Sequence, residues 1–475
     1  MARRYWKSLL LFLICTTFAV GSLPPAADAA SKSKKPKVTS SSGKVGKEVK
    51  AKQSPKRFSA VASRSTKKRQ VAKRSGRSRN VTVVSRRQTP VAVVPRFNTR
   101  EVSSPAELEP VRLANMDKGA VLSSVPKFST RINGKLAGVT PGGEVVYFTP
   151  DPALQSFVSD LTAQAQASHV AIVAMEPRTG RILAMADKSL TIDHLVLHAG
   201  FPAASLFKVV TTTAALERGG VQPQSMIRFR GGTYTLNQLN YRTDNLRDTR
   251  VMSVAEGLGR SCNPVFARLA LNHLNPSILR HYARVFGFNS PLEFDIPLSQ
   301  SSAFIPTDDF ELSRAAAGFG DVFISPVHAA VLMSQIATSG VRPRPSLIDK
   351  VINAQGALSY KAIPFGKRVL RSDTAETLLE MMESTTTIGT SRSEFMRRNQ
   401  PVLPNIRVSA KTGTLTGTNP PGLNHWFIAA APIEDPQIAI AIIVVDSRGA
   451  NSKASRLGRR IIERYFTDRP QGRVS

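Results

Sequence analysis

The chain is 475 residues long and carries 65 Lys and Arg against 33 Asp and Glu, a formal charge of +32. That length allows two or three domains with a sizeable core, and the apolar and aromatic content is ordinary for a globular protein. Its 2 cysteines, Cys15 and Cys262, exclude a disulfide framework if a leader carrying Cys15 is removed, so stability must come from packing.

The first element is an N-terminal leader. Arg3, Arg4 and Lys7 precede an apolar stretch from Leu9 to Val20, and Ala27-Asp28-Ala29 offers small residues at a cleavage site. Residues 1–29 therefore read as a secretory signal peptide, which places the protein in the periplasm or on the outer face of the cytoplasmic membrane. The apolar stretch is short for a span of about 20 residues, yet an uncleaved anchor remains the rival reading. Cys15 lacks the preceding small residue of a lipoprotein signal.

Residues 31–100 hold 22 Lys and Arg and one acid, Glu48, so this segment carries +21 of the total charge. It has few aromatics and cannot bury enough apolar surface to offset the entropy of ordering. We expect a basic disordered linker over residues 30–105, either a plain solvated tether or a contact to anionic lipid head groups or acidic wall polymers. Nucleic acid would also attract such a tail, but the export signal argues against it as a partner. Residues 106–141 match no module.

A folded domain is expected over 142–470. Val170–Met175 and Arg181–Ala186 flank the turn residues Arg178-Thr179-Gly180 and predict a hairpin. Pro202 precedes a helix from about Ser205 to Glu217, with Gly219 at its stop. Helical patterns recur near Ser253–Leu271 and Pro326–Ser339. Strands are expected at Ile406–Thr412, Trp426–Ala430 and Ile438–Val445, the last apolar at every position and so buried on both faces. Ser452–Phe466 is an amphipathic helix with Ala454, Leu457, Ile461, Ile462 and Tyr465 inward. Strands at both ends with helices between predict one sheet built from distant parts of the chain.

Three short motifs carry chemistry. In Ser205-Leu206-Phe207-Lys208, residues three apart share a helix face, so Lys208 can take the Ser205 proton if its own pKa is lowered. In Ser261-Cys262-Asn263 a hydroxyl and an amide two residues apart can relay a proton and hold a peptide carbonyl; Cys262 itself reads as a small buried side chain. In Lys411-Thr412-Gly413-Thr414 a cation, hydroxyls and a glycine make a carboxylate-binding strand edge. Each is weak alone. Ser31/Lys34, Ser65/Lys68 and Ser124/Lys127 repeat the first spacing and Ser78-Arg79-Asn80 the second, and the bland readings are a helix-start serine, a turn serine and an edge strand.

Their order and spacing together match serine β-lactamases and penicillin-binding proteins. The neighbours extend the match: Ala203-Ala204 before Ser205, Val173–Met185 upstream, Gly318-Phe319-Gly320 and Ile324-Ser325-Pro326 downstream, and His425-Trp426-Phe427 after the third motif. Residues 142–466 thus resemble the penicillin-binding transpeptidases. The resemblance implies an α/β (α+β) fold: a five-stranded antiparallel sheet flanked by helices, with an all-α subdomain carrying Ser261 to Asn263. It implies Ser205 as nucleophile, Lys208 as its base and Ser261 as proton shuttle. Asn263 would bind the donor backbone, Lys411, Thr412, Gly413 and Thr414 the substrate carboxylate edge, and the Ser205 and Thr414 N–H groups would form the oxyanion hole. The implied partners are D-Ala-D-Ala stem peptides, with β-lactams as inhibitors, and no cofactor.

His194 and His198 lie four apart without the acidic base of a metalloprotease pattern, so no metal is expected. No glycosyltransferase domain is recognisable ahead of residue 142. A D,D-carboxypeptidase, a serine β-lactamase or β-lactam sensor, and a non-catalytic envelope-binding protein stay open beside the transpeptidase. Glu293 and Asp295 are within sequence reach as a lactamase deacylation base, though nothing singles them out.

Overall fold

The computed structural model describes residues 97–101, 129–140 and 142–469. All of these lie in one compact unit, Arg86–Ser475. The leader at 1–29 and the basic segment up to residue 96 fall outside the described residues.

Structure begins earlier than the sequence reading placed it. Phe97–Glu101 (β1), within the stretch expected to be unstructured, is a strand paired parallel with Ser129–Ile132 (β2). β2 turns into Lys135–Val139 (β3), which pairs with Val145–Phe148 (β4). The turn is Asn133-Gly134, with φ of 49° and 74°, the conformation that tight hairpins require and that Asn-Gly supplies. Leu136, Ala137, Val146 and Phe148 are buried, so the hairpin has an apolar face that the domain covers. A later hairpin, Ile348–Ile352 with Leu358–Lys361, completes a six-stranded sheet next to β4.

The main sheet has the expected five antiparallel strands. Pro152–Gln164 (α1), capped by the Asp151 carboxylate accepting from the Leu154 N–H, leads into His169–Met175 (β5) and Ile182–Lys188 (β6). After the helices, Ser409–Thr418 (β7), Pro421–Ala431 (β8) and Ile438–Val445 (β9) complete it in the order β7-β8-β9-β5-β6. β9 is buried at every residue. Its two faces differ in volume. Ile438, Ile440, Ile442 and Val444 face one core with the closing helix Ala454–Thr467, while Ala439, Ala441, Ile443 and Val445 face the other with helix Pro326–Ala337. Alanines at 439 and 441 leave room for the latter helix to lie close. Each fully buried Ile or Val contributes roughly 1.5–3 kcal/mol, so this strand, sandwiched between two helix layers, is the centre of stability.

Between β6 and β7 the chain inserts the helices that build the site. Phe207–Arg218 (α2) packs among the other helices, against Asn263–His273, Pro276–Val285 and Ser372–Thr387. Val254–Gly259 (α3) and Asn263–His273 (α4) are two helices where the sequence pattern predicted a single one over Ser253–Leu271. The break falls at Ser261, whose φ is +57°, a conformation no helix interior accommodates. Arg268 of α4 is buried and donates to the Asn240 carbonyl and to Asp248, which also accepts from Arg230. This polar anchor ties α4 to the loop that carries Tyr234 over the cleft.

Candidate active site

The three motifs, far apart in sequence, converge on one cleft of about 810 Å³. Ser205 stands at the start of α2. The chain arrives as a short strand, Phe201–Pro202, whose Pro202 carbonyl accepts from the Trp426 indole N–H at 2.9 Å. It then turns through Ala204, φ +49°, into a 3-10 turn, Ala204–Leu206, before α2 proper. The expected α-helix therefore opens with a tighter turn. Residues three apart nearly eclipse in such a turn, which brings Lys208 close to Ser205. Gly318 locks the turn from outside: a Cβ there would sit 2.0 Å from the Ala204 carbonyl oxygen.

Lys208 Nζ is 2.7 Å from Ser205 Oγ, 2.8 Å from Asn263 Oδ1 and 2.5 Å from the Ala317 carbonyl oxygen. An ammonium would donate to all three. A neutral amine has two N–H groups and one lone pair. With Asn263 and Ala317 accepting the two N–H groups, the lone pair faces Ser205, whose hydroxyl then donates to it. In the neutral state, then, Lys208 is oriented to receive the serine proton.

Lys411 Nζ donates to Ser261 Oγ at 3.0 Å and to the Thr412 carbonyl at 2.8 Å. Both lysines are fully buried. Burial pushes Lys411 down to about 7. Lys208 is held well below the usual lysine range by burial first and by the Lys411 charge second. Both shifts favour the neutral amine, the form in which a lysine can accept a proton.

Ser261 occupies a left-handed backbone position that costs on the order of 1 kcal/mol, a kind of strain that clusters at functional sites. Asn263, the first residue of α4, donates through Nδ2 to the Tyr234 carbonyl at 2.6 Å. Its amide is therefore held at both ends, by Lys208 and by the Tyr234 loop. Cys262 is buried and free, as expected. β7 is the edge strand of the main sheet, and Thr412, Gly413 and Thr414 line the cleft. All eight residues singled out in the sequence therefore gather within one site.

Residues 170–463 match the family described as penicillin binding protein transpeptidase domain. The chain belongs to this family. Among its relatives, the peptidoglycan D,D-transpeptidase PbpA of Mycobacterium tuberculosis is 27% identical over 391 residues, covering 72% of this chain and 77% of the relative. Among solved structures, penicillin-binding protein A from M. tuberculosis in an imipenem acyl-enzyme complex is 26% identical with a TM-score of 0.57. It covers 69% of this chain and 81% of that one. Penicillin-binding protein 3 from M. tuberculosis, complexed with aztreonam, superposes with a TM-score of 0.60 at 18% identity, over 80% of this chain and 98% of that one, a likeness of fold.

Within this penicillin-binding fold, several site groups have no signature in sequence. The Ala317 and Tyr234 contacts come from backbone carbonyls, which any residue possesses. Thr390, which borders the cleft, lies 2.5 Å from Thr412, hydroxyl to hydroxyl, and belongs to no motif. Glu293 and Asp295 lie away from the cleft. Asp295 accepts from the Leu347 and Ile348 N–H groups, and Glu293 pairs with Arg344. No carboxylate lines the cleft among the described residues.

Proposed function

We propose that this protein is a peptidoglycan D,D-transpeptidase that works through a Ser205 acyl-enzyme on D-Ala-D-Ala stem peptides. The observation that carries the reading is the 2.7 Å approach of the buried Lys208 amine to Ser205, at a cleft walled by Ser261, Asn263 and an open strand edge. Ser205 Oγ attacks the carbonyl carbon of the penultimate D-Ala as neutral Lys208 takes its proton. The N–H groups of Ser205 and Thr414 hold the developing oxyanion, each worth ~3 kcal/mol of barrier. The C–N bond then breaks. The proton reaches the leaving nitrogen through Ser261, and free D-Ala departs with an ester left on Ser205. An acceptor amine attacks that ester, Oγ leaves and is reprotonated, and a new amide is released. Asn263 positions the donor backbone. Thr412 and Thr414 bind the terminal carboxylate, with Gly413 keeping the strand edge open and Lys411 supplying positive charge from below.

The test incubates the full chain with a D-Ala-D-Ala donor peptide and an amine acceptor. The expected outcome is release of D-Ala with formation of the amide product. D-Ala release with hydrolysis alone would reassign the protein as a carboxypeptidase, and no release with any donor would defeat the acyl-transfer reading.

The pH profile follows from the two lysines. Raising pH discharges both. It switches on Lys208 as base and switches off Lys411 as anion holder. The second-order rate constant for acylation by a carboxylate-bearing β-lactam should be bell-shaped, since it reports groups of the free enzyme. The acid limb belongs to Lys208, and the alkaline limb starts near Lys411's value of about 7. An alkaline limb that first sets in near the ordinary lysine value would contradict this assignment.

The reading extends to location. We propose an exported protein whose basic segment, with its charge of +21 over 31–100, holds it at anionic membranes or wall polymers. Deleting residues 31–96, which spares β1, should leave acylation by a soluble β-lactam within about 2-fold, because none of the three motifs lies in that segment. Retention on anionic vesicles or wall material should fall, and in the intact protein it should weaken with added salt. Salt-independent retention would remove charge as the cause.

A further inference from the structure

Thr390 lies in the turn after helix Ser372–Thr387, outside every motif. It touches both walls of the cleft. Its N–H donates to the Gly259 carbonyl at 3.1 Å, two residues before Ser261. Its hydroxyl lies 2.5 Å from the Thr412 hydroxyl on β7. The preceding Gly389 packs so tightly that a Cβ there would fall 2.1 Å from the same Gly259 oxygen. Ser391 N–H donates to the Thr385 carbonyl at 2.9 Å, which closes the turn on its own helix. The segment is therefore a clasp, fixed to the Ser261 turn by its backbone and to β7 by one side chain.

We propose that Thr390 is a positioning residue that aims the Thr412 hydroxyl at the substrate carboxylate. The inference rests on the reading of Thr412 as a carboxylate-binding residue. A threonine hydroxyl has one hydrogen and two lone pairs, and an ionised carboxylate only accepts. Two hydroxyls at this distance share a single hydrogen between them. Once a carboxylate is bound, the Thr412 hydrogen must point to it, so the hydrogen in the shared contact must come from Thr390. The result is a relay: Thr390 donates to Thr412, and Thr412 donates to the carboxylate. Each bond polarises the next, and the last is charge-assisted. Thr390 is thus tuned for an anionic substrate terminus and contributes nothing specific to a neutral one. The backbone bond to Gly259 holds the donor at the correct height relative to Ser261, so the carboxylate site and the proton shuttle keep a common register.

The test compares acylation of the full chain by benzylpenicillin and by its methyl ester, which lacks the anion, in Thr390→Val, Thr390→Ser and Thr412→Val. Valine keeps the shape of threonine and loses the hydroxyl; serine keeps the hydroxyl. Loss of one such hydrogen bond to a charged chain corresponds to about a tenfold effect. Thr390→Val should slow acylation by the free acid about tenfold and by the ester less than twofold, and Thr390→Ser should restore the acid rate to within about threefold. Equal slowing of acid and ester by Thr390→Val would assign Thr390 a merely structural role and overturn the proposal. So would an unchanged rate with both. Thr412→Val should show the same selective loss as Thr390→Val. If it does not, the carboxylate role of Thr412 fails, and the proposal with it. Selective loss in Thr412→Val alone would overturn only the link to Thr390. Thermal melts of each variant verify that the comparison is made on folded protein.

Discussion

Full-length protein carrying Ser205→Ala is expected to gain no penicilloyl group where the unaltered protein gains one. The adduct is read by intact mass and mapped by peptide digestion. Ser205 is partly exposed at the cleft, whereas Lys208, 2.7 Å away and buried, is the base we propose. Ser261 also lines the cleft, with its hydroxyl accepting from Lys411 at 3.0 Å. Labelling of Ser205→Ala at the normal rate would therefore reassign the nucleophile. Lys208→Met separates nucleophile from base. It keeps a long apolar chain in the buried slot and removes the amine. General-base catalysis at the upper end of its range is worth about 10⁴-fold, or roughly 5.5 kcal/mol of barrier. Acylation should slow by about that factor and still end on Ser205. The substitution also deprives the Asn263 and Ala317 oxygens of their donor, so a melting curve should accompany the kinetics. A Lys208→Met rate within tenfold of normal would show that another group takes the proton.

The second large effect concerns the lifetime of the acyl-enzyme. Both a transpeptidase and a β-lactamase acylate quickly, but only the latter needs a positioned base to activate water against the ester. In the proposed mechanism Lys208 serves the first step, and its three contacts hold it beside Ser205. The cleft wall among the described residues is made of hydroxyls, amides, backbone, His425, Lys453 and apolar groups, without a carboxylate. The two acids that sequence position left open are engaged elsewhere, Asp295 with the backbone of Leu347 and Ile348 and Glu293 with Arg344. The penicilloyl adduct should consequently persist for many minutes. One turnover per hour corresponds to a barrier of roughly 22 kcal/mol and ten per second to roughly 16, a gap of ~6 kcal/mol. Stopped-flow hydrolysis of a chromogenic β-lactam, run beside intact mass, distinguishes them. A stoichiometric burst followed by near silence fits the transpeptidase. Steady turnover at several per second without an accumulating adduct would identify a β-lactamase.

Elements whose identity depends on local periodicity were legible in the sequence. β9 matches its predicted bounds, Ile438–Val445, because eight consecutive apolar residues have no other soluble home. The closing helix shows the predicted inward stripe of Leu457, Ile461, Ile462 and Tyr465. The serine–lysine spacing was legible because a helical start makes residues three apart neighbours. What escaped depends on partners distant in the chain. β1 pairs with β2, and its five residues Phe-Asn-Thr-Arg-Glu carry no alternation that would single out a strand. The Asn133-Gly134 turn did carry a local signal, which the surrounding unassigned stretch obscured. The break at Ser261 separates two helices that share one apolar pattern; a turn serine is among the readings the sequence leaves open there, and its φ of +57° decides for it. The Ala317 carbonyl and the Thr390 hydroxyl act through position alone, and position is a property of the assembled domain.

The order of strands in the main sheet has a consequence for how the chain reaches its folded state. β5 and β6 are made early and can form their hairpin at once, but the other neighbour of β5 is β9, and the Ser168–Val445 contact beside that pairing spans 277 residues. Closing so long a loop precedes any reward from the pairing, which is the condition for slow folding. Until β9 arrives, one side of β5 presents unpaired N–H and C=O groups along an apolar strand, a template for association with other chains. Ser205, Lys208 and the Ser261 turn all come from the chain between these two strands. Substitutions that weaken β9 should therefore lower the yield of folded protein more than the activity of the molecules that do fold.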